Sequence, residues 1–320
     1  MGRFMKILVT GGCGFIGSHL VDRLLAEGFE VSILDDLSSG RMENVSRHTN
    51  ANGFHLVRGD IRDAGLVKQI VEDVDAVFHE AALVDVQLSV KNPMLFDDVN
   101  VVGTLNMLKA CLDSDVKRFV FASSAAVYGD TEPAEKSEDM FTEPISPYGV
   151  TKLAAENYVR VFSELYGLET VCLRYFNVYG PRQGLGSSYS GVITAFTGRL
   201  LRGQPAVIYG DGEQTRDFVN VSDVVSANVL ALNSKNAVGE VLNVASGTTV
   251  AINYLAKILQ QITDTEHLTP VFTESRAGDI KHCSSNISKA AKLLGFSSKI
   301  TLENGLSELV KWHNDVMKTG

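Results

Sequence analysis

The fold is decided by residues 5–17, which read MKILVTGGCGFIG. The apolar and β-branched run Lys6–Thr10 predicts a buried strand, and the glycines that follow it predict a tight turn. After the turn, Ile16, Leu20 and Leu24 recur at the spacing of one helical face. The stretch therefore predicts a strand, a glycine turn and a helix in immediate succession.

Outward from this stretch, short β-rich runs alternate with amphipathic helical runs, which is typical of a parallel sheet covered by helices. We predict an α/β protein with a Rossmann-type, doubly wound parallel sheet in residues 1–176. Glycine and proline then become frequent, which predicts a smaller C-terminal α/β region in residues 177–320, with some segments returning to the sheet. Late helical runs are expected at Ile252–Ile262 and Leu302–Val316. The predicted strands are Lys6–Thr10, Glu30–Asp35, Phe54–Arg58, Asp75–His79, Arg118–Ser123 and Thr170–Tyr175.

The composition excludes several classes of protein. The 320 residues contain 29 Lys and Arg against 38 Asp and Glu, a net charge of -9, which argues against binding to nucleic acid or to an anionic membrane surface. No run approaches the roughly 18 apolar residues of a membrane span. The cysteines, at positions 13, 111, 172 and 283, are far apart, so we expect neither a disulfide framework nor a metal site, and a cytoplasmic location.

The glycine turn has the features of a dinucleotide-binding loop. Gly11 and Gly14 allow the backbone to approach a pyrophosphate, and Gly17 allows the helix to pack closely on the strand. The helix begins near Phe15 and Ile16 and offers its free N–H groups to the anion. The alternative is a glycine-rich turn that binds nothing.

Two aspartates follow predicted strands at the edge where such a ligand would lie. Asp35 ends the second strand, 18 residues past Gly17, where a carboxylate accepts hydrogen bonds from ribose hydroxyls and repels a 2′-phosphate. The expected cofactor is therefore NAD rather than NADP. Asp60 follows the third strand and is either a second cofactor contact or a residue that caps a turn.

Tyr148 and Lys152 are spaced by one helical turn, and Ser146 and Pro147 predict the start of that helix. An ammonium on the same helical face can stabilise a phenolate, which would make Tyr148 a general base. A hydroxyl of Ser123 or Ser124, which end the fifth strand, could bind the same substrate oxygen as Tyr148. The alternative is an ordinary pair on the surface of a solvated helix.

These motifs belong to a longer series that makes the chain resemble the extended short-chain dehydrogenase/reductases, specifically the UDP-hexose 4-epimerases. The series is Thr10–Gly17, Asp35, Gly59–Ile61, His79–Ala82, Asn100–Thr104, Ser123–Gly129, Tyr148–Lys152 and Arg174–Asn177. The resemblance runs from Met5 to about Trp312. It implies bound NAD and a catalytic trio of Ser124, Tyr148 and Lys152. The further implied cofactor contacts are Asp60, Ile61, Ala81, Ala82, Asn100, Tyr148 and Lys152.

The resemblance also implies the reaction, which is inversion of C4 of a UDP-sugar. Tyr148 would take the proton of the C4 hydroxyl, and the C4 hydride would pass to NAD and return to the other face of a 4-keto sugar. A small residue such as Cys283, where enzymes limited to plain hexoses commonly have tyrosine, predicts that N-acetyl sugars are accepted as well. A homodimer is expected, built on the helix that holds Tyr148 and on the helix near Asn100–Ala110. The implied substrate residues are Ser124, Tyr148, Asn177, Arg216, Arg276, Asp279 and Cys283.

The chain departs from the family pattern at Glu80 and Asp85, which are acidic where several relatives are apolar or basic. Other activities of the fold are also open. Nucleotide-sugar 4,6-dehydratases need an acidic pair just after the fifth strand, and UDP-glucuronate decarboxylases usually carry a glutamate there, whereas this chain has Ala125 and Ala126. A noncatalytic NAD-binding scaffold tends to lose the tyrosine or the lysine, and this chain keeps both.

Overall fold

A seven-stranded parallel sheet forms the centre of the computed structural model, which describes residues 5–184, 191–275 and 281–319. All six predicted strands occur in it, with ends that differ from the prediction by at most one residue, so the predicted Rossmann-type sheet is confirmed. The strands in chain order are β1 (Lys6–Thr10), β2 (Glu30–Asp35), β3 (Phe54–Arg58), β4 (Ala76–His79), β5 (Arg118–Ser124), β6 (Glu135–Lys136), β7 (Glu169–Tyr175), β8 (Asn177–Tyr179), β9 (Val207–Tyr209), β10 (Thr215–Arg216), β11 (Phe218–Asn220), β12 (Val241–Val244), β13 (Val250–Ala251), β14 (Val271–Thr273) and β15 (Ser284–Ser285).

The order of the strands creates a crevice beside β1. The sheet runs β12-β7-β5-β4-β1-β2-β3, so the chain leaves β1 toward one edge and resumes at β4 on its other side. Leu8 of β1 lies opposite Ser32 on one neighbour and Val77 on the other, all in parallel register. Connections that leave the sheet in opposite directions at this point open a space at the carboxyl ends of the strands, which is where ligands of such folds bind.

Helices cover both faces of the sheet. They are α1 (Phe15–Ala26), α2 (Ala64–Val71), α3 (Val86–Lys91), α4 (Pro93–Asp97), α5 (Gly103–Asp113), α6 (Pro147–Tyr166), α7 (Val192–Leu200), α8 (Val221–Asn233), α9 (Ile252–Ile262), α10 (Ser288–Leu294) and α11 (Leu302–Thr319). The helix expected over Ile252–Ile262 is observed, and the last one extends three residues beyond its predicted end. Within the described ranges, no helix combines the length and the apolar character needed to cross a membrane.

The two faces of β1 belong to two different apolar clusters. Ile7 and Val9 pack with Leu20 of α1, whereas Leu8 packs on the other side with Val67 of α2. All five side chains are at most 1% exposed. Because side chains alternate along a strand, a run that is apolar at every position must be covered on both faces. Helices therefore pack on both faces, and the sheet is the middle one of three layers.

A third apolar cluster forms the core of the C-terminal region. It contains Phe196 of α7, Leu255 of α9 and Leu306 of α11. The short parallel pairs β8 with β11 and β9 with β14 lie in the same region. By contrast, β12 pairs with β7 at the edge of the main sheet, and α8 packs on α1. The second half of the chain therefore contributes to both cores.

Replacing Phe78, a fully buried residue of β4, by alanine should lower the free energy of unfolding by about 3–5 kcal/mol, because apolar transfer energy is lost and a cavity remains. The matched control is Phe141→Ala, since Phe141 is 89% exposed, and it should change that free energy by less than about 0.5 kcal/mol. Urea denaturation of both variants measures the difference. Equal losses in the two variants would contradict the assignment of Phe78 to the core.

Candidate active site

A cavity of about 660 Å³ opens at the carboxyl edge of the sheet, between the loops that follow β1 and β4. Its wall is formed by the glycine loop that follows β1 and by most of the other residues that were predicted to contact NAD. The predicted residues that line it are Gly11, Gly14, Phe15, Ile16, Gly17, Asp35, Asp60, Ile61, Ala81 and Ala82. The fold thus brings these residues together around one cavity.

Gly11 and Gly17 allow three backbone segments to touch. Gly11 has a φ of +68°, and a Cβ at this position would lie 2.8 Å from the backbone nitrogen of Ala81. A Cβ at Gly17 would overlap the carbonyl oxygen of Gly11. The N-cap of α1 is Gly14, which makes no side-chain cap, so the first N–H groups of the helix are left for an anion. The loop therefore fits a pyrophosphate.

The two predicted acidic contacts differ in their partners. Asp35 accepts hydrogen bonds from the backbone nitrogens of Cys13 at 2.9 Å and Leu37 at 2.8 Å. Burial raises the pKa of Asp35, and these bonds oppose the rise. Asp60 accepts from the backbone nitrogen of Arg62 at 2.8 Å and from its Nε at 2.9 Å, which lowers the pKa of that carboxyl. Asp60 therefore caps its turn and also lines the cavity.

Asn100 lies behind the cavity wall and is only 2% exposed. Its Oδ1 accepts from the backbone nitrogen of Leu83 at 2.8 Å, and its Nδ2 donates to the Leu83 carbonyl at 3.0 Å. The same Nδ2 donates to Thr151 Oγ1 on α6 at 3.0 Å. The side chain thus ties the wall segment to α6, and a direct contact with the cofactor stays a prediction.

A hydrogen-bond chain through buried His79, a residue to which no role was assigned from the sequence, supports the same wall. Thr104 Oγ1 donates to the Asn100 carbonyl at 2.6 Å, so it accepts from His79 Nε2 at 3.0 Å. His79 Nδ1 then accepts from Thr10 Oγ1 at 2.8 Å, and Thr10 Oγ1 accepts from the backbone nitrogen of Ala81 at 3.2 Å. Burial lowers the pKa of His79 to about 3, so the ring is neutral. No local signal marks this chain, because Thr10 lies 69 residues from His79.

Tyr148 and Lys152 lie on the first turns of α6, where Ser146 caps the helix and Pro147 is its first residue, as predicted. Both side chains are buried, at 9% and 4% exposure, which excludes the alternative of a pair on a solvated surface. The Ser124 hydroxyl at the end of β5 is near enough to the Tyr148 side chain to oppose the rise that burial causes in the pKa of the phenol. The three residues of the predicted trio therefore meet at the edge of the sheet.

The charge of Lys152 is held in largely apolar surroundings. Its Nζ lies 4.6 Å from the ring centroid of Phe121. Burial lowers the pKa of Lys152 to about 8, and the negative charges of Glu80 and Glu156 oppose this. Burial also raises the pKa of Tyr148. A phenolate at Tyr148 consequently depends on positive charge nearby, and Lys152 is placed to supply it.

A buried ion pair, missed by sequence reasoning, supports α6. Arg174 donates from Nε to Glu156 Oε2 at 2.9 Å and from Nη2 to Oε1 at 2.7 Å. Ser123 Oγ donates to the same carboxylate at 2.6 Å. Because neighbouring side chains of a strand point to opposite sides, Ser123 bonds the ion pair while Ser124 faces Tyr148.

The predicted substrate residues of the C-terminal region form a second group. Asn177 Nδ2 donates to the Asp217 carbonyl at 2.8 Å. Arg216 Nη1 donates to the Thr215 carbonyl at 2.9 Å, and the backbone nitrogen of Cys283 donates to the same oxygen at 3.3 Å. The strands β8 and β10, with the start of β15, therefore bring Asn177, Arg216 and Cys283 into one neighbourhood.

Cys283 is partly buried against Tyr128 and Phe176. Burial raises the pKa of its thiol, and the positive charge of Arg216 opposes the rise. Two further predicted substrate residues, Arg276 and Asp279, lie outside the described residues. In the part of the chain that is described, no cluster of three or more His, Cys, Asp or Glu is placed to hold a metal.

Comparison with known proteins agrees with this geometry. The sequence profile of the NAD dependent epimerase/dehydratase family matches residues 7–245. A UDP-glucose 4-epimerase of Mycolicibacterium smegmatis is 38% identical over 310 residues, covering 96% of this chain and 98% of the relative. The crystal structure of UDP-glucose 4-epimerase from Thermotoga maritima with UDP-glucose is 38% identical, with a TM-score of 0.92 and coverage of 98% and 100%. The UDP-N-acetylglucosamine 4-epimerase from Methanobrevibacter ruminantium, in complex with UDP-N-acetylmuramic acid, is 39% identical, with a TM-score of 0.94 and coverage of 99% and 100%. These matches confirm the resemblance drawn from the motifs: the chain belongs to the NAD dependent epimerase/dehydratase family of enzymes, and its cofactor is NAD.

Proposed function

We propose that the protein is a 4-epimerase that interconverts UDP-glucose with UDP-galactose and UDP-N-acetylglucosamine with UDP-N-acetylgalactosamine. The observation that carries this proposal is the meeting of Ser124, Tyr148 and Lys152 beside a cavity that fits NAD. No carbonyl acidifies the C4 hydrogen of the sugar, so inversion at C4 requires its removal as hydride. The names of the similar enzymes described above support the same class of substrate.

The residues present fit the cofactor. Gly11 and Gly17 leave the space that a pyrophosphate needs, because a Cβ at either position would meet backbone. Asp35 would accept hydrogen bonds from the ribose hydroxyls, and Ile61 and Ala81 form an apolar part of the wall. NAD, when bound, supplies reversible hydride transfer at the sugar carbon.

Tyr148 takes the proton of the C4 hydroxyl, and Ser124 holds the same oxygen. Lowering a phenol pKa from about 10 to about 7 requires roughly 4 kcal/mol of preferential stabilisation of the phenolate. The ammonium of Lys152 supplies part of it, together with the positive charge of an oxidised nicotinamide. When the C4 ketone is reduced again, Tyr148 gives the proton back to the C4 oxygen.

Asn177 and Arg216 hold the nucleotide diphosphate while the sugar turns over. In a chain of net charge -9, a local arginine is needed to bind a diphosphate. Cys283 lies beside Arg216 and faces the C2 substituent of the sugar. Its small side chain leaves room for an acetamido group, and a pocket of this kind discriminates only weakly against the smaller hexose.

The segment after Ser124 favours epimerisation over elimination. Ala125 and Ala126 occupy the short helical turn that follows β5, and neither side chain can donate a proton. A 4,6-dehydratase needs acidic residues at this place to remove water across C5 and C6. The ketone formed at C4 therefore has no acid in this turn to direct it toward elimination.

The proposal includes a homodimer built on the outer faces of α4 to α6. Met94 on α4 and Val150 and Leu165 on α6 are 71%, 52% and 67% exposed, and large apolar side chains with such exposure are typical of contact surfaces. Val101, just before α5, and Leu108 on α5 are core residues at 7% and 0% exposure. The exposed set is thus the part of this surface that a second copy would cover.

Purified protein should convert UDP-glucose to UDP-galactose and release NAD when it is denatured. Tyr148→Phe removes the titrating oxygen and keeps the ring, so turnover should fall by about 10²–10⁴-fold while UDP-sugar binding is largely kept. Chromatographic separation of the two sugars measures turnover, and calorimetry measures binding.

Lys152→Met should be similarly severe, because it removes the ammonium that stabilises the phenolate. Phe141→Ala, on an exposed side chain, is the control and should keep full turnover. Near-normal turnover of Tyr148→Phe, or NADP in place of NAD in the denatured supernatant, would contradict the proposal.

Cys283→Tyr should abolish activity on the N-acetyl sugars and spare the plain hexoses, because the phenol fills the space that the acetamido group sweeps. Cys283→Ser, which keeps the small volume, is the matched control and should act on both pairs of substrates. Turnover of each variant on UDP-N-acetylglucosamine and UDP-glucose gives the ratio. Equal losses on both sugars in the tyrosine variant would show that this residue does not select the substrate.

Sedimentation should give twice the mass of one chain. Introducing Val161→Glu and Leu165→Glu together should yield monomers, because both positions are exposed on α6 and a buried unpaired carboxylate is costly. Val271→Glu, at an exposed position of β14, should leave the dimer intact. A monomeric unaltered protein would overturn the proposed dimer.

A further inference from the structure

Two segments of the wall of the cofactor cavity lie outside the set of predicted cofactor contacts. One segment follows β2 and includes Arg41 and Asn44, and the other follows β8 and includes Arg182 and Gly184. The two segments approach each other, since a Cβ added at Gly184 would lie 4.0 Å from Arg41 Nη2. Because glycine brings no side chain to this approach, the approach itself holds the segments together only weakly. Their positions therefore depend on the bonds that attach each segment to the rest of the fold.

Helix α1 carries the residues to which the segment after β8 is attached. Asp22 lies three residues after His19 on this helix, so the two side chains share one helical face. Arg182 Nη2 donates to Asp22 Oδ2 at 2.6 Å, and His19 Nε2 donates to the Pro181 carbonyl at 2.9 Å. Two neighbouring hydrogen bonds thus join the segment after β8 to α1.

The carboxylate of Asp22 also holds the segment after β2. Arg47 Nε donates to Asp22 Oδ1 at 3.1 Å, and His48 Nε2 lies 2.7 Å from the same oxygen. Nearer the cavity, Asn44 Nδ2 donates to the carbonyl of Cys13 in the glycine loop at 2.9 Å. Both segments are therefore attached to one side chain of the helix whose first turn faces the cavity.

Arg182 is held in its place by the bond to Asp22. Its φ is +68°, a region that a long side chain rarely adopts and that persists where surrounding contacts hold it. The side chains of Arg182 and Asp22 are 11% and 20% exposed, so water and salt screen their charges only partly. Nη1 of the same guanidinium is buried and has no hydrogen-bond partner among the described residues. The fixed position of this guanidinium thus depends on Asp22.

The charge of Asp22 is maintained by its partners. Burial raises the pKa of this carboxyl, but the hydrogen bonds from Arg47, His48 and Arg182 outweigh that effect and place the pKa below its usual value. The side chain is therefore an ionised acceptor at neutral pH. Hydrogen bonds between two ionised groups are stronger than bonds between neutral groups.

We propose that Asp22 is a positioning residue for cofactor retention, which holds the segment after β8 against the cofactor cavity through Arg182 and so slows the release of NAD. Moving this segment away from α1 would widen the cavity at Arg182 and Gly184, and the movement requires the bond between Arg182 and Asp22 to break. The inference goes beyond the proposed function, because it concerns the hold on NAD and not the sugar. Its benefit rests on the proposed function, since an epimerase regenerates its NAD and can use one bound molecule for many turnovers.

The test is Asp22→Asn in the holoenzyme, because asparagine keeps the shape of the side chain and loses its charge. Holoenzyme that carries ³²P-labelled NAD is mixed with an excess of unlabelled NAD, and the label that stays on the protein is followed with time. Release of the label should be about tenfold faster in the variant than in the unaltered protein.

Glu27→Gln is the matched control for this variant. Glu27 lies at the end of the same helix and pairs with Arg23, which is 47% exposed, so this change removes the same charge from an ordinary surface pair. The control should release the label at the rate of the unaltered protein. Equal acceleration in Glu27→Gln and Asp22→Asn would overturn the proposal, because the effect would then be one of helix charge.

A double-variant cycle separates the bond to Asp22 from a direct contact between Arg182 and NAD. Arg182→Gln should accelerate release about tenfold in the unaltered protein and should add nothing in the Asp22→Asn background. Multiplied effects in the double variant, or unchanged release in either folded single variant, would overturn the proposal. Asp22→Ser takes the place of Asp22→Asn in the cycle if the asparagine variant does not fold. Exchange of the label needs neither sugar nor turnover, so failure of the proposed epimerase activity would be seen separately.

Discussion

A side chain at residue 17 would overlap the carbonyl oxygen of Gly11, and a side chain at residue 11 would lie 2.8 Å from the backbone nitrogen of Ala81. The first turn of α1 therefore rests directly on the loop after β1, and that loop rests on the segment after β4. This close approach of three backbones determines where the cavity lies. The walls that surround it, the His79 hydrogen-bond chain and the position of Asn100 all depend on the spacing that these contacts impose.

The site is built at the cost of burying several charges. Glu156 and Arg174 are tolerated because two hydrogen bonds join them and Ser123 donates a third to the carboxylate, and loss of one partner would leave an unpaired ion inside the protein. Lys152 has no such contact partner among the residues that the structure describes, and it lies against Phe121 instead. Because no carboxylate in direct contact neutralises it, the positive charge of Lys152 can stabilise a phenolate at Tyr148.

The two halves of the chain supply different parts of the chemistry. The sheet and the helices that cover it present the cofactor cavity and the proton-transferring residues. The region around Asn177 and Arg216 presents the positive charge and hydrogen bonds suited to a diphosphate. Since α8 and β12 return to the main sheet, the second region is anchored on both sides. The sugar would thus lie between two groups whose separation is set by the fold.

The sequence by itself determined the positions of six of the seven strands, the glycine loop and the start of α6 at Ser146, because each depends on neighbouring residues: side-chain periodicity, tolerated φ values and helix capping. It could not determine whether Tyr148 and Lys152 are buried or on the surface. The hydrogen bond between Tyr175 and Glu80 was equally hidden, since the two residues are 95 positions apart in the chain. Burial and charge partners arise only when distant segments pack together, so the tertiary structure alone decided the electrostatics of the site.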